Sequence, residues 1–350
     1  MKNILFVGEL PPKTIHGVSN SSAMNIKILS QCFNLFPIEE YIPLSNHNQF
    51  ALSKIKQIYY IIRQIRKRVR QTCFDFFYAN MAISYLGMLK NILYLIAFKQ
   101  KSKGKAIFHI HRGDFESFYN HSIISKLLIN FFVKRADKLI FLSETLVPKH
   151  LEGNTKVCYL ANTIIPEKEY PIRENNKNNL LYLSNYIAEK GIIDLLNVFK
   201  TIEDNNLTLN CYGSFTDKKL EKQIRTYQSN SVHINSVLIE EKFNTIHNAD
   251  ALVLPSYNEG QPLIILEAMM CGTIVIASDV GDIRNMLGDD YPFLFQAKDL
   301  EGLKKTIYLY LKTDKETLTN LSEHLQKRYF KFYSNKIHKE RILKIFDYES

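Results

Sequence analysis

The 350-residue chain contains no tryptophan, only 13 glycines and 10 prolines, and five cysteines. So few glycines and prolines leave little room for low-complexity linkers. No self-similar period points to a solenoid or a propeller. Cys32, Cys73, Cys158, Cys211 and Cys271 form no C-x-x-C pair and stand at no metal-ligand spacing from a histidine. They read as small buried hydrophobes in a reducing compartment. Long apolar runs are also missing: the most apolar region, Ile92 to Phe98, is far shorter than the ~20 residues of a spanning helix. The N-terminus lacks a signal peptide's apolar stretch and cleavage site. The expected location is therefore the cytoplasm, with membrane contact only from the surface. G-x-G-x-x-G, Walker A and G-x-S-x-G motifs are absent as well, which argues against dehydrogenases, NTPases and serine hydrolases.

What is present is the ordinary composition of a globular protein, 46% hydrophobic and 23% charged. The length suits two domains. The formal net charge of +10 is unevenly divided: residues 1–165 hold 22 basic and 9 acidic side chains, and the remainder is slightly acidic. Such asymmetry points toward nucleic acid, an anionic membrane or anionic substrates. The densest basic run is Lys54, Lys56, Arg63, Arg66, Lys67, Arg68 and Arg70. It is threaded through Ile55, Ile58, Ile62, Ile65 and Val69, whose spacing predicts one apolar stripe on a helix. Three readings of that helix stand: a docked surface helix with a solvated basic side, a headgroup-binding membrane helix, or a nucleic-acid face. A second basic cluster, Lys99, Lys101, Lys103 and Lys105, adds weight to the membrane reading. Tyrosine and phenylalanine show no stacking-platform spacing for single-stranded nucleic acid.

Short apolar runs alternate with helix-forming segments along the chain, starting with Asn3 to Val7 and then a helix from Ser21 to Leu29. The rhythm continues through runs at Phe74, Ala106 and Lys138, pauses in the polar stretch from Glu167 to Asn179, and restarts at Leu180. Two doubly wound domains with parallel sheets follow from this pattern. In such sheets ligands bind beyond the carboxyl ends of the strands. Leu318 to Asp347 reads as helical.

The segment from Pro255 to Gly272 is the most informative. It leaves a strand and enters a helix, with Pro262 suited to the first turn and Gly272 to the position after the last. The helix start is a ready anion site. Glu259 lies in the loop ahead of it. Glu267 falls within an otherwise apolar helix, where an unpaired carboxylate is costly. It needs either a basic neighbour or the hydroxyls of a ligand.

Glu259 and Glu267, with Ala268-Met269, Gly272, the Ile274–Ala277 strand and Asp279-Val280-Gly281, closely resemble the signature of family 4 glycosyltransferases. Gly8 to Gly17, His109-Ile110-His111, Ala161-Asn162-Thr163 and Leu181 to Gly191 resemble further stretches of that family. The resemblance implies retaining enzymes of the GT-B fold: two Rossmann-like doubly wound α/β domains facing a central cleft. It implies an acceptor-side domain over 1–165, a nucleotide-sugar-binding domain over 166–325, and a C-terminal helical segment, 326–350, packing back on the first domain. It further implies that Glu267 accepts bonds from the ribose hydroxyls and that Glu259, with the backbone of Gly260 and Gln261, holds the transferred sugar. Lys190 and the helix start at Pro262 would neutralise the diphosphate, Gly17 would admit the same phosphates, and His111 would reach the donor sugar. Where the family carries Gly-Arg, this chain has Ser184-Asn185, so Asn185 brings no charge, and Arg112 is the substitute phosphate contact. His111 is preferred over His109 because it lies nearer the strand end. His16, His47, His121, His150, His233 and His247 read as surface residues.

The expected activity is transfer of a hexosyl group from a nucleotide-diphosphate sugar, a UDP-sugar by preference, to a lipid-linked saccharide in surface-polysaccharide synthesis. No metal, no cofactor and no nucleic acid are expected, and the partners are donor, acceptor and an anionic membrane surface. The alternatives are a GT-B-fold sugar-nucleotide epimerase and a non-catalytic nucleotide-sugar-binding protein.

Overall fold

The computed structural model describes residues 1–14, 16–41, 47–166, 168–204, 206–236 and 241–348. Glu167, the first residue of the polar stretch, lies outside the described residues, as does the side chain of His47. The chain divides into two compact units, Met1–Thr163 with Lys336–Ser350, and Ile164–Asn335.

In the first unit the chain runs β1 (Asn3–Gly8), α1 (Gly17–Leu29), β2 (Asn34–Glu39), α2 (His47–Gln71), β3 (Phe76–Asn80), α3 (Tyr85–Lys99) and β4 (Lys105–Ile110). It continues through α4 (Phe115–His121), α5 (Ile123–Arg135), β5 (Lys138–Phe141) and β6 (Val157–Tyr159). The strands form one parallel sheet in the order β2-β1-β3-β4-β5-β6. Because alternate strand residues face opposite sides, β1 supplies Leu5 and Val7 to one core, shared with Phe77, Phe108, Ile65 and Phe98. Its Ile4 and Phe6 enter the other core, with Tyr78, Ile28 and Phe346. Pro37 is tolerated in β2 because that strand is an edge, where a missing N–H breaks no ladder.

The second unit contains β7 (Asn179–Leu183), α6 (Ile192–Phe199), β8 (Thr208–Tyr212), α7 (Lys218–Arg225), β9 (Val232–Asn235), α8 (Lys242–Asn248) and β10 (Ala251–Leu254). After these come α9 (Leu263–Cys271), β11 (Ile274–Ser278), α10 (Ile283–Leu287), β12 (Leu294–Phe295), α11 (Leu300–Lys312) and α12 (Lys315–Phe332). Its parallel sheet has the order β12-β11-β10-β7-β8-β9, so the direction of winding reverses between β7 and β10. That switch point is where doubly wound sheets open a crevice for ligands.

The last helix, α13 (Asn335–Ile345), returns to the first unit. Ile342 and Phe346 enter its core, and Asp347 receives Lys105 at 2.5 Å and Lys138 at 2.8 Å. The sequence reading set the C-terminal segment off at 326, but α12 belongs wholly to the second unit. The Tyr329 hydroxyl donates to the Ile164 carbonyl at 3.1 Å, and Gln326 donates to the Met270 carbonyl at 2.9 Å. The polar stretch before β7 is pinned rather than loose. Arg173 pairs with the buried Asp250 at 2.8 Å, and the backbone N–H groups of Asn178 and Asn179 donate to the same carboxylate at 3.1 and 3.0 Å.

Two helices depart from the sequence reading. α1 starts at Gly17 rather than Ser21, because His16 caps it: its backbone N–H donates to Ser19 Oγ at 2.9 Å, and the Ser19 N–H approaches the His16 ring at 3.4 Å. The expected apolar stripe of α2 is also shifted. Ile61, Ile65 and Val69 are buried and Ile58 and Ile62 are half-buried, but Ile55 is 57% exposed. It shares the outer side of the helix with Tyr59 and Tyr60.

Candidate functional site

In the second unit, the loops after β7 and β10 meet at the switch point. Gly191 takes φ +67°, and a Cβ there would lie 2.0 Å from the Pro255 carbonyl oxygen. Only glycine allows the two loops so close. The approach brings Lys190, in the turn before Gly191, to Glu259: Nζ and Oε1 are 2.6 Å apart, with Glu259 mostly buried. The Tyr257 N–H donates to the Glu189 carbonyl at 2.8 Å, and the Tyr257 hydroxyl donates to Asp194 at 2.8 Å, which completes the seam. Glu259 and Gly260 are held from the other side by the loop after β11. The Asp282 N–H donates to the Gly260 carbonyl at 3.0 Å, and Gln261 Nε2 donates to Asp282 at 2.5 Å. Pro262 is the capping residue in extended conformation, one position earlier than the first-turn placement read from sequence, and α9 begins at Leu263. Asn185 is exposed in the loop after β7, where its carbonyl accepts from the Tyr182 hydroxyl at 3.2 Å.

Glu267 is buried on α9. Lys242 of α8 donates to its Oε1 at 2.6 Å, while Oε2 has no partner among the described residues. Burial raises the Glu267 carboxyl above the ordinary glutamate range, and the Lys242 charge pulls it back. Of the two sequence readings of this residue, the basic neighbour is present at one oxygen, and the ligand reading concerns the other. Lys242 was not singled out in the sequence. Its signal was only a lysine opening a short helix, with no spacing that ties it to a residue 25 positions on.

In the first unit, His111 follows the end of β4. Its ring lies 3.9 Å from that of His109, its Nε2 is 3.3 Å from Asn80 Oδ1, and its Nδ1 is buried without a partner among the described residues. Burial, aided by the nearby His16, pushes its pKa down to about 3, so the ring is neutral. Arg112 is committed to Asp114, with Nε donating at 2.8 Å. A Cβ on Gly17 would meet no described atom within 4 Å, so open space, not internal packing, surrounds this position. His16 is no idle surface residue: besides capping α1 it pairs with Glu9 at 2.6 Å.

Sequence reasoning also missed a buried polar row on α1. Ser21 donates to Asn162 at 2.8 Å, and Asn80 donates to Ser22 at 2.7 Å, which ties α1 to the partner of His111. Asn25 donates to the Tyr78 hydroxyl at 2.8 Å, and Tyr78 lies 2.9 Å from His109 Nδ1. His338 of α13 spans Asn25 and the Ala161 carbonyl, both at 2.7 Å.

Of the basic run on α2, Lys56, Arg63, Arg66, Lys67 and Arg70 are exposed, and Lys54 and Arg68 are half-buried. Among the described residues no cluster of three or more His, Cys, Asp or Glu could hold a metal ion. No helix among them is long and apolar enough to cross a membrane.

Residues 166–328 match the family described as Glycosyl transferases group 1. The chain is 25% identical over 300 residues to an uncharacterized glycosyltransferase of Methanocaldococcus jannaschii, covering 83% of this chain and 82% of the relative. It is 33% identical over 205 residues to the N,N'-diacetylbacillosaminyl-diphospho-undecaprenol alpha-1,3-N-acetylgalactosaminyltransferase of Campylobacter jejuni, covering 57% of this chain and 50% of that enzyme. Anabaena HepE in complex with UDP shares the fold with a TM-score of 0.71 at 14% identity, covering 99% of both chains. Two parallel Rossmann-like units on the GT-B plan, the second a group 1 glycosyl transferase domain, define the class. The chain is a glycosyltransferase.

Proposed function

We propose that this glycosyltransferase moves a sugar from a nucleotide-diphosphate donor, a UDP-sugar, to a lipid-linked saccharide in surface-polysaccharide synthesis. The observation that carries the donor reading is Glu267, buried on α9 with Lys242 on one oxygen and no partner among the described residues on the other. Ribose hydroxyls are donors of the kind that a second carboxylate oxygen lacks. In this reading Glu259, positioned by Lys190, and the backbone of Gly260 and Gln261 take the sugar. Lys190 and the α9 start at Pro262 take the diphosphate, Asn185 lines the donor loop, and Gly17 and Arg112 supply the phosphate contacts of the first unit. His111, neutral and buried, offers its ring to the donor sugar. Stabilising the departing diphosphate with prearranged charge is then the main catalytic contribution, configuration at the transferred carbon is retained, and no metal is required.

The acceptor reading is supported by the Campylobacter enzyme, whose name carries a diphospho-undecaprenol acceptor, and the nucleotide by UDP bound to HepE. The exposed basic face of α2, with Lys54 and Arg68 at its margin, suits the anionic inner face of a cytoplasmic membrane. A thermal-shift screen over UDP-, GDP- and ADP-sugars tests the donor, since a ligand bound only to the native state raises the melting point. UDP-sugars should stabilise the wild type and fail to stabilise Glu267→Ala. Equal stabilisation of both proteins would overturn the role of Glu267.

A further inference from the structure

Helix α8 lies along α9 on fixed contacts. The Thr273 hydroxyl donates to the Ile246 carbonyl at 2.7 Å, the Cys271 thiol donates to the Phe243 carbonyl at 3.7 Å, and His247 Nδ1 lies 3.3 Å from the Cys271 carbonyl. They leave Lys242, the first residue of α8, opposite Glu267, with Nζ 2.6 Å from Oε1. The lysine side chain is 33% exposed and the Glu267 side chain 6%, so the ammonium reaches inward to a carboxylate that does not reach out. Such a pair is a poor device for holding two helices together, because apolar side chains of similar volume do that as well or better. A pair built for packing alone would also satisfy both carboxylate oxygens, yet Oε2 has no partner among the described residues.

Among the described residues, the charge that acts on Glu267 is that of Lys242. Cys271, one turn further along α9, is pushed up to about 12 chiefly by burial and stays a neutral thiol. His247 of α8 is held below the usual histidine value by burial, and Lys168 and Arg173 act on that ring in the same direction. Glu241, ahead of Lys242, is exposed, and α12 meets α9 with the Gln326 amide, which donates to the Met270 carbonyl. Without the ammonium, burial acts on Glu267 unopposed, and the carboxyl holds its proton to higher pH. A protonated carboxyl has a hydrogen of its own to place and accepts from hydroxyls more weakly than a carboxylate does.

We propose that Lys242 is a positioning residue for nucleotide recognition: it holds the Glu267 carboxylate charged and pinned by Oε1, so that Oε2 is presented to the ribose hydroxyls of the donor. Held this way, the carboxylate meets the nucleotide without first turning or losing a proton. The inference rests on the donor reading above and deepens it. Glu267 supplies the acceptor oxygen, and Lys242, acting through it, decides whether that oxygen is ready at neutral pH.

The test is isothermal titration of the full chain with UDP and 2′-deoxy-UDP, each at neutral and at alkaline pH. The ratio of the two affinities cancels the titration of the phosphates, which both probes share. The wild type should prefer UDP by at least about tenfold at either pH, as expected when a hydroxyl that donates to a charged group is removed. Lys242→Met should bring that preference below about threefold at about pH 7 and restore most of it at about pH 9, because a carboxyl raised by burial gains its charge as pH rises. Lys242→Gln serves in its place should the methionine protein not fold, with the same result expected. Lys242→Arg keeps both charge and donors and should keep the wild-type preference. A neutral variant whose preference equals the wild type's at both pH values would overturn the proposal, since Lys242 would then be a cation that only draws in the diphosphate. A preference lost equally at both pH values would overturn it too, as a loss of local structure. The two readings fail differently. A wild type that binds both nucleotides alike counts against the donor reading of Glu267, whereas discrimination in the wild type and the neutral variant alike counts against Lys242 alone.

Discussion

At the scale of single residues, Glu267 is where the cost of burial meets the proposed donor-binding role. Its carboxyl is raised by burial, so the folded state favours the protonated form. The sign follows: this contribution to stability is fully present below the unfolded glutamate value and is lost as pH rises through the raised one. Glu267→Gln removes that loss, so at neutral pH its melting point should match or exceed the wild type while UDP affinity falls about tenfold. Calorimetry and titration on one preparation check both halves. Lys242→Met does the reverse, leaving a buried carboxylate without its lysine, and should cost about 1–3 kcal/mol in urea unfolding. Pairing it with Glu267→Leu should recover most of that loss, because the uncompensated charge is then gone.

At the scale of elements, the site depends on two glycines that hold loops together. Gly191 brings the β7 loop onto the β10 loop. Gly281, at φ +59°, lets the β11 loop lie against Glu259, whose carbonyl oxygen would be 2.2 Å from a Cβ. Alanine at either position meets both a left-handed backbone and a backbone clash, so each should destabilise by roughly 2 kcal/mol or more in urea unfolding. Gly17→Ala, with open space around it, should leave stability within about 0.5 kcal/mol.

The same elements show what was legible in the sequence. Apolar runs bounded by turn residues marked β1, β3, β4, β5, β7, β8, β10 and β11, and the Glu259–Glu267 segment stood out because charge breaks an apolar helix there. Edge strand β2 was hidden by Pro37, and the short β6 and β12 by their length. The Lys242–Glu267 and Glu40–Lys90 pairs join residues far apart in sequence, so no local spacing announces them. The stripe on α2 was misphased at Ile55 because the helix turns Tyr59 and Tyr60 outward with it, which periodicity alone does not fix.

At the scale of the whole molecule, the positive charge of residues 1–165 is concentrated on a unit that also buries three neutral histidines. Burial holds His109 well below the ordinary histidine value, His111 at about 3 and His338 at about 4. As pH falls through about 6.5 the unfolded chain takes up these protons first, so stability is present above that value and declines below it. The expected slope is up to about 1.4 kcal/mol per pH unit for each histidine between pH 6.5 and 4. Urea unfolding at a series of pH values should show it, and His338→Gln should make the slope shallower by one proton.

The most direct measurement of the central claim is nucleotide release from a panel of UDP-sugars, with and without farnesyl-diphospho-N-acetylglucosamine. The account predicts that at least one donor is turned over, faster with acceptor present. It also predicts that Glu267→Ala loses about a hundredfold or more of that turnover while its melting point stays close to wild type. Turnover by Glu267→Ala at the wild-type rate, or no turnover of any nucleotide sugar by the folded wild type, would contradict it.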